Sequence, residues 1–273
     1  MSFVQIVVLA LVQGITEFLP ISSSGHLVLG SWLFDWPDQG LLFDAGVHGG
    51  TLVAVVIYFR KEWLQIASGI TSNSLVQLDD EGSGIASRFV VLLIVLAMIP
   101  VVVGALLIRE GVEANFRTPE AVGWLLIGTA VALLIGELVG RRVRNLSSLR
   151  LPDAAVIGLA QVLAILPGIS RSGVTMVAVL ALGLRREAAA RFSMLLATPA
   201  IAGAGLLIAV DSLGEAESDE WTATLLGAAI SAVTAYFVIA GLLRLLQRGT
   251  FRPFIAYCGV VGIAVLIARV AGV

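Results

Sequence analysis

Charge is scarce in this chain. Only 13% of its 273 residues are Asp, Glu, Lys or Arg, against about 25% in a soluble domain. With 58% hydrophobic residues and a mean hydropathy of +1.00, that shortage excludes an ordinary water-soluble domain and makes the bilayer the solvent. Cysteine is nearly absent. Cys258 stands alone in an apolar run, which rules out an intrachain disulfide, and it reads as a small packing residue. Histidine occurs only at His26 and His48. No basic residue precedes the first apolar stretch, residues 2–12, so a signal peptide is not expected. Nothing in the charge pattern points to nucleic acid as a partner.

What is present is one stretch written twice. Leu11-Val-Gln13-Gly-Ile-Thr-Glu17-Phe-Leu-Pro20-Ile-Ser22-Ser23-Ser24-Gly25-His26 returns, shifted by 148 positions, as Leu159-Ala-Gln161 through Pro167-Gly-Ile-Ser170-Arg171-Ser172-Gly173-Val-Thr175. Gln13 falls on Gln161, Ser22 on Ser170, Ser24 on Ser172 and Gly25 on Gly173. The copies differ where chemistry is expected: the first has Glu17 and His26, the second has Arg171 at the place of Ser23.

The apolar runs 2–19 and 26–34 are too short for two full spans, which need roughly 20 residues each. Two half-length helices joined at 20–25 form a re-entrant hairpin, a break tolerated only where protein buries it or it lines a wet cavity. Residues 42–59, 89–108 and 119–140 read as spans, with a polar loop at 62–87 tipped by Asp79-Asp80-Glu81. The pattern then repeats: a hairpin over 153–184 broken at Pro167-Gly168, and spans at 187–210, 222–246 and 253–271, with an acidic loop at 211–220. The expectation is a single all-α polytopic membrane domain, 1–273. Each half, about 1–140 and about 152–273, holds a hairpin and three spans. An odd span number turns the second half upside down, as in inverted-repeat transporters. That arrangement puts Arg60, Lys61, Arg88, Arg141, Arg142, Arg144, Arg150, Arg185, Arg186, Arg191, Arg244, Arg248 and Arg252 on one side. Only Arg109, Arg117 and Arg269 fall on the other. The rich side is cytoplasmic by the positive-inside rule, so both termini face out and the hairpin tips can meet.

Gln13 and Glu17 are four apart and share a helix face. An acid inside a membrane segment costs about 2.5–3.5 kcal/mol on insertion scales, which marks Glu17 as functional. Glu137, four residues before Arg141 near a span end, reads instead as half of an ion pair. The serine clusters precede short helices, where they serve as N-caps but also form anion sites. Two such ends meeting, with Arg171 on one, would cage a phosphate, because the guanidinium fork matches phosphate oxygens. His26 is within reach of Ser23 as a base, and Thr175, one turn past Arg171, can face the same cavity. His48 is expected to pack behind the site, and Asp44 to cap its span.

These motifs resemble the undecaprenyl-pyrophosphate phosphatase family associated with bacitracin resistance. The likeness runs from Gln13-xxx-Glu17 and Phe-Leu-Pro-Ile-Ser-Ser-Ser-Gly-His through Phe43-Asp44, Pro167-Gly-Ile-Ser-Arg-Ser-Gly-Val-Thr175 and Phe192-Ser-Met-Leu-Leu-Ala-Thr-Pro199. It implies a plasma-membrane hydrolase that converts a polyprenyl diphosphate to the monophosphate carrier lipid of envelope synthesis, with its site open to the extracytoplasmic face. Glu17, Ser23, His26 and Arg171 match the family's essential acid, serine, histidine and arginine. Gln13, Ser22, Ser24, Ser170, Ser172 and Thr175 are the expected phosphate contacts. The resemblance also implies stimulation by a divalent cation, Mg²⁺ or Ca²⁺, with Glu17 as its candidate ligand. Several choices stay open here: Ser23 or water as nucleophile, His26 or Glu17 as base, the identity of the polyprenol, and a homodimer. The rival class is a polyprenyl-phosphate flippase or anion transporter, which would need no nucleophile and base.

Overall fold

The computed structural model describes residues 1–72, 74–78, 84–212 and 218–272. The first hairpin is α1 (Phe3–Thr16) and α2 (Ser23–Leu33). At 1.5 Å per residue these reach only about 21 and 16 Å, against a hydrocarbon core of about 30 Å. Ser2 caps α1 by accepting the Gln5 N–H at 3.2 Å. Then follow α3 (Leu41–Tyr58), α4 (Arg60–Ser72), a strand pair β1 (Leu75–Gln77) and β2 (Gly84–Ala86), α5 (Ser87–Phe116) and α6 (Pro119–Val139). The second hairpin is α7 (Leu151–Val162), which tightens into a 3-10 turn at Leu163–Ile165 before Pro167, and α8 (Arg171–Ala181). Three long helices close the chain: α9 (Arg186–Ser212), α10 (Ser218–Arg248) and α11 (Arg252–Val270).

The all-α membrane architecture holds: among the described residues five helices are long and apolar enough to cross a membrane, namely α3, α5, α6, α10 and α11. The expected span 187–210 falls on α9, part of whose length, with most of the acidic loop 211–220, lies outside the described side chains. The acidic tip 79–81 also lies outside the described residues. The expected polar loop fails. The segment 62–87 is not a loop but holds α4 and the antiparallel pair Leu75↔Ala86, Val76↔Ile85 and Gln77↔Gly84. Its polar composition hid an amphipathic helix that buries Ile66 and Gly69, with Ser87 Oγ holding the Gln65 and Ser74 carbonyls at 3.2 and 3.0 Å.

Close packing without a hydrophobic drive needs small residues. The most extensive helix pair, α3 with α10, depends on Gly50: a Cβ there would lie 2.1 Å from the Ala228 carbonyl oxygen. Across that seam Ser231 Oγ donates to the Val47 carbonyl at 2.8 Å. α6 pairs with α11 in the same way, with Gly262 against Gly123. The first helix of each hairpin packs on a long helix of the other half, α1 on α10 and α7 on α5. α5 and α9 touch much less than α3 and α10 do.

At the arginine-rich end, Glu137 forms an ion pair, but its partners are not Arg141. It bonds to Arg142 and, through both oxygens, to Arg186 at 2.9 and 2.6 Å, and it accepts the Phe251 N–H at 2.7 Å. One carboxylate thus ties together the ends of α6, α9 and α11. Arg144 likewise turns inward to Asp153 at 2.6 Å and the Leu182 carbonyl at 3.0 Å.

Candidate active site

The two hairpin tips meet in the interior. Ser172 Oγ donates to the Leu19 carbonyl at 2.9 Å, and a Cβ on Gly25 would stand 3.1 Å from the Gly168 Cα. Across this junction Arg171 Nη2 donates to Glu17 Oε1 at 2.6 Å. The other carboxylate oxygen accepts Ser23 Oγ–H at 2.6 Å and the Gln13 amide at 2.8 Å. His48 Nε2 lies 3.6 Å from that same oxygen, too far for a hydrogen bond. Glu17 itself is 7% exposed, so these donors replace the water it has lost.

The second terminal nitrogen of Arg171, Nη1, is buried with no partner among the described residues. Buried donors are almost always paired. An arginine whose sole task was to neutralise Glu17 would leave no such orphan at the edge of a cavity. Arg171, Glu17, Ser22, Ser23, Ser24 and Ser170 all line a cavity of about 260 Å³. A second cavity of about 250 Å³ shares Ser24, His48, Ala164, Ile165, Ile201 and Ala204 with it and continues to Leu41, Asp44, Val112, Arg117 and Gly205. One wall carries the serines and charges, and the other is made of Val101, Ala164, Ile165, Ile201 and Ala204.

Local sequence explains the tips. Ser22 and Ser170 cap α2 and α8, their hydroxyls accepting the Gly25 and Gly173 N–H at 3.3 and 3.0 Å. The backbone of Ser22 is at φ 70, a left-handed conformation that costs a non-glycine residue on the order of 1–3 kcal/mol. His26 supports it: Nδ1–H donates to the Ser22 carbonyl at 2.7 Å. That bond sets the tautomer, and Nε2 then accepts the Tyr257 O–H at 2.8 Å, with the rings stacked at 5.6 Å. His26 is therefore turned toward α11, and the partner of Ser23 is Glu17.

The other expected contacts divide into two groups. Ser22, Ser24 and Ser170 reach the cavity wall. Gln13, Ser172 and Thr175 stand behind it. Gln13 holds Glu17, Ser172 holds Leu19, and Thr175 is spent on the Arg171 carbonyl and Ser193 Oγ at 2.9 and 2.6 Å. In this structure each is bonded to protein partners and lies off the cavity wall. Two residues assigned bland roles come forward. His48 lines both cavities beside Glu17. Asp44 caps nothing with its side chain but accepts the Gln39 amide at 2.8 Å and faces Arg117 at 3.5 Å, at the cavity mouth. Their i, i+4 spacing on one helix face was the available signal.

The donor set does not fit a resident cation at Glu17. Both its oxygens already accept from Arg171, Ser23 and Gln13, and among the described residues no three His, Cys, Asp or Glu side chains cluster as ligands.

A polytopic helical membrane protein with a carboxylate, serine and arginine joined at two broken-helix tips is the class that fold and site define. Residues 6–264 match the family described as "Bacitracin resistance protein BacA". The chain is 43% identical over 268 residues to an "Undecaprenyl-diphosphatase" of Alcanivorax borkumensis, covering 97% of this chain and 98% of the relative. It is 44% identical to the "Undecaprenyl-diphosphatase 2" of Stutzerimonas stutzeri, covering all of both chains. It is also 44% identical to an "Undecaprenyl-diphosphatase" of Alteromonas mediterranea, over 94% and 95% of the two. This chain belongs to the BacA family.

Proposed function

We propose that this protein is a membrane phosphatase that hydrolyses undecaprenyl diphosphate, or another polyprenyl diphosphate, to the lipid monophosphate and inorganic phosphate. The observation that carries the reading is the Ser23–Glu17–Arg171 constellation on the cavity wall, with one buried arginine nitrogen left without a partner among the described residues. Ser23 Oγ attacks the terminal phosphorus while its proton passes to Glu17 Oε2. The bond from phosphorus to the bridging oxygen breaks, the proton on Glu17 passes to the leaving lipid monophosphate, and Glu17 is again a carboxylate. Water, deprotonated by the same carboxylate, then cleaves the phosphoserine and returns the proton to Ser23. Arg171 and the α2 and α8 N-termini hold the charge that develops on the transferring group, so the chemistry is mostly positioning and electrostatics. The bond already formed between Ser23 and Glu17 supports serine over direct attack by water, and it supports Glu17 over His26 as base. On this reading Mg²⁺ or Ca²⁺ enters with the diphosphate that it neutralises.

The prenyl chain lies along the apolar wall, where α5 and α9 make little contact. The cavity runs toward the start of α3 and the ends of α5 and α9. With the arginine-rich end inside, that mouth is extracytoplasmic, and the enzyme sits in the cell membrane as a multi-pass protein. Glu17, Ser23 and Arg171 come from one chain, so the site needs no second copy. A flippase or anion transporter would have no use for a serine donating to a buried carboxylate.

The test is phosphate release from undecaprenyl diphosphate by protein purified in detergent, where transport has no meaning. Turnover by the native protein and none by Glu17→Gln is expected. Tight binding without release would overturn the reading.

A further inference from the structure

The duplication left one polar side chain with nothing to do. Gln161 occupies in α7 the place of Gln13 in α1. Gln13 donates its amide to Glu17 at 2.8 Å. The position in the second half that corresponds to Glu17 is Ile165, so Gln161 has no carboxylate to hold. Its Nε2 has only the Met98 thioether at 3.7 Å, a weak acceptor. Its Oε1 is buried with no partner among the described residues. The side chain is 1% exposed and yet lines the same cavity as Ser23 and Arg171. Gln13 shares the unpartnered buried oxygen but differs in that its amide nitrogen is committed to Glu17 and it lies off the cavity wall.

A primary amide buried without a proper hydrogen bond at either end is costly. An apolar residue would pack better against Met98 if packing were the task. Arg171, on the same cavity, also has a buried atom without a partner among the described residues, Nη1, which is a donor. The unpartnered atom of Gln161 is its oxygen, and a half-turn of the amide puts the donor end in that place. An anion can use only the N–H₂ end of the amide. The half-turn that brings it to the cavity gives up nothing but the long sulfur contact.

We propose that Gln161 is a substrate-binding residue that donates to the lipid-linked phosphate of the diphosphate, the group that leaves as product. This deepens the phosphatase reading above and rests on it. The terminal phosphate is placed by Ser23 and Arg171. Gln161 stands near the end of α7, just before the 3-10 turn that carries Ala164, and abuts Met98 of α5, on the apolar side where the prenyl chain lies. The phosphate nearest to it is therefore the one bonded to the lipid. In the first half Glu17 is the acceptor for a glutamine amide; in the second half the substrate takes that place.

The test uses full-length protein in detergent with farnesyl diphosphate as substrate and farnesyl monophosphate as product inhibitor. Gln161→Met keeps the length and apolar contact but removes the amide. The expected result is a rise of about tenfold or more in KM, an equal weakening of inhibition by farnesyl monophosphate, unchanged inhibition by inorganic phosphate, and an unchanged or higher melting temperature. Gln161→Glu, nearly isosteric, serves where the methionine variant does not fold, and its added negative charge should weaken both farnesyl ligands further. Unchanged KM and product inhibition in a folded variant would overturn the inference, as would a fall in kcat with KM preserved. Native protein that releases no phosphate would instead remove the phosphatase reading itself.

Discussion

Replacing Arg171 with lysine separates a need for positive charge from a need for two aimed donors. In the native site one guanidinium nitrogen is bonded to Glu17 Oε1 at 2.6 Å and the other is buried without a partner among the described residues, in a side chain that lines the cavity. Lysine brings a single compact ammonium on a flexible stem. It can neutralise Glu17 or reach the phosphoryl oxygens, but it cannot hold both in fixed geometry. Charge balance at Glu17 survives, so the buried acid is not stranded and the protein should insert, purify and melt within a few degrees of the native protein. What the lysine side chain no longer supplies is the aimed hydrogen bond to charge that develops during transfer. Deleting a comparable donor costs about 2.7–4 kcal/mol, and each 1.36 kcal/mol is about tenfold, so turnover should fall on the order of 10²–10³-fold. The assay pairs phosphate release from a polyprenyl diphosphate with the melting temperature in the same detergent. Native turnover in the lysine variant would reduce Arg171 to a counter-charge. A loss of activity accompanied by a collapse in stability would make the Glu17 pair structural and refute the reasoning just as firmly.

Ser23→Ala should remove activity by more than about 10³-fold at every pH, and a phosphoserine should be trappable in the native enzyme. A loss of only several-fold would transfer the attack to water. His26→Ala should lower the melting temperature as well as activity, because the left-handed Ser22 carbonyl loses its donor. Tyr257→Phe should cost less than about tenfold, the net worth of one neutral hydrogen bond. If His26 were the base, its alanine variant would be dead but fully stable. Single cysteines placed in the 141–150 and 211–220 loops should label from opposite faces of the membrane, with buried Cys258 silent. Labelling from the same face would abolish the inverted arrangement.

Much of this protein is local information. Two apolar runs of half-span length, each stopped at Pro20 or Pro167 and restarted by a serine cap, are a statement about backbone chemistry in a solvent that cannot hydrogen-bond. The hairpins, the long helices and the candidacy of Glu17 and Arg171 could thus be read from residue order. The same reasoning failed at 62–87, where polar composition concealed most of α4, because an amphipathic helix is stabilised by what it packs against. Partner choice was also beyond it. Glu137 takes Arg142 and Arg186 instead of Arg141, and Ser23 takes Glu17 while His26 turns to Tyr257, since Arg186 and Tyr257 arrive on helices distant in sequence. Gln13 and Gln161 show the division most clearly. Residue order already gives one a carboxylate four residues on, Glu17, and the other Ile165, and only the tertiary structure puts Gln161 on the cavity wall and Gln13 behind it.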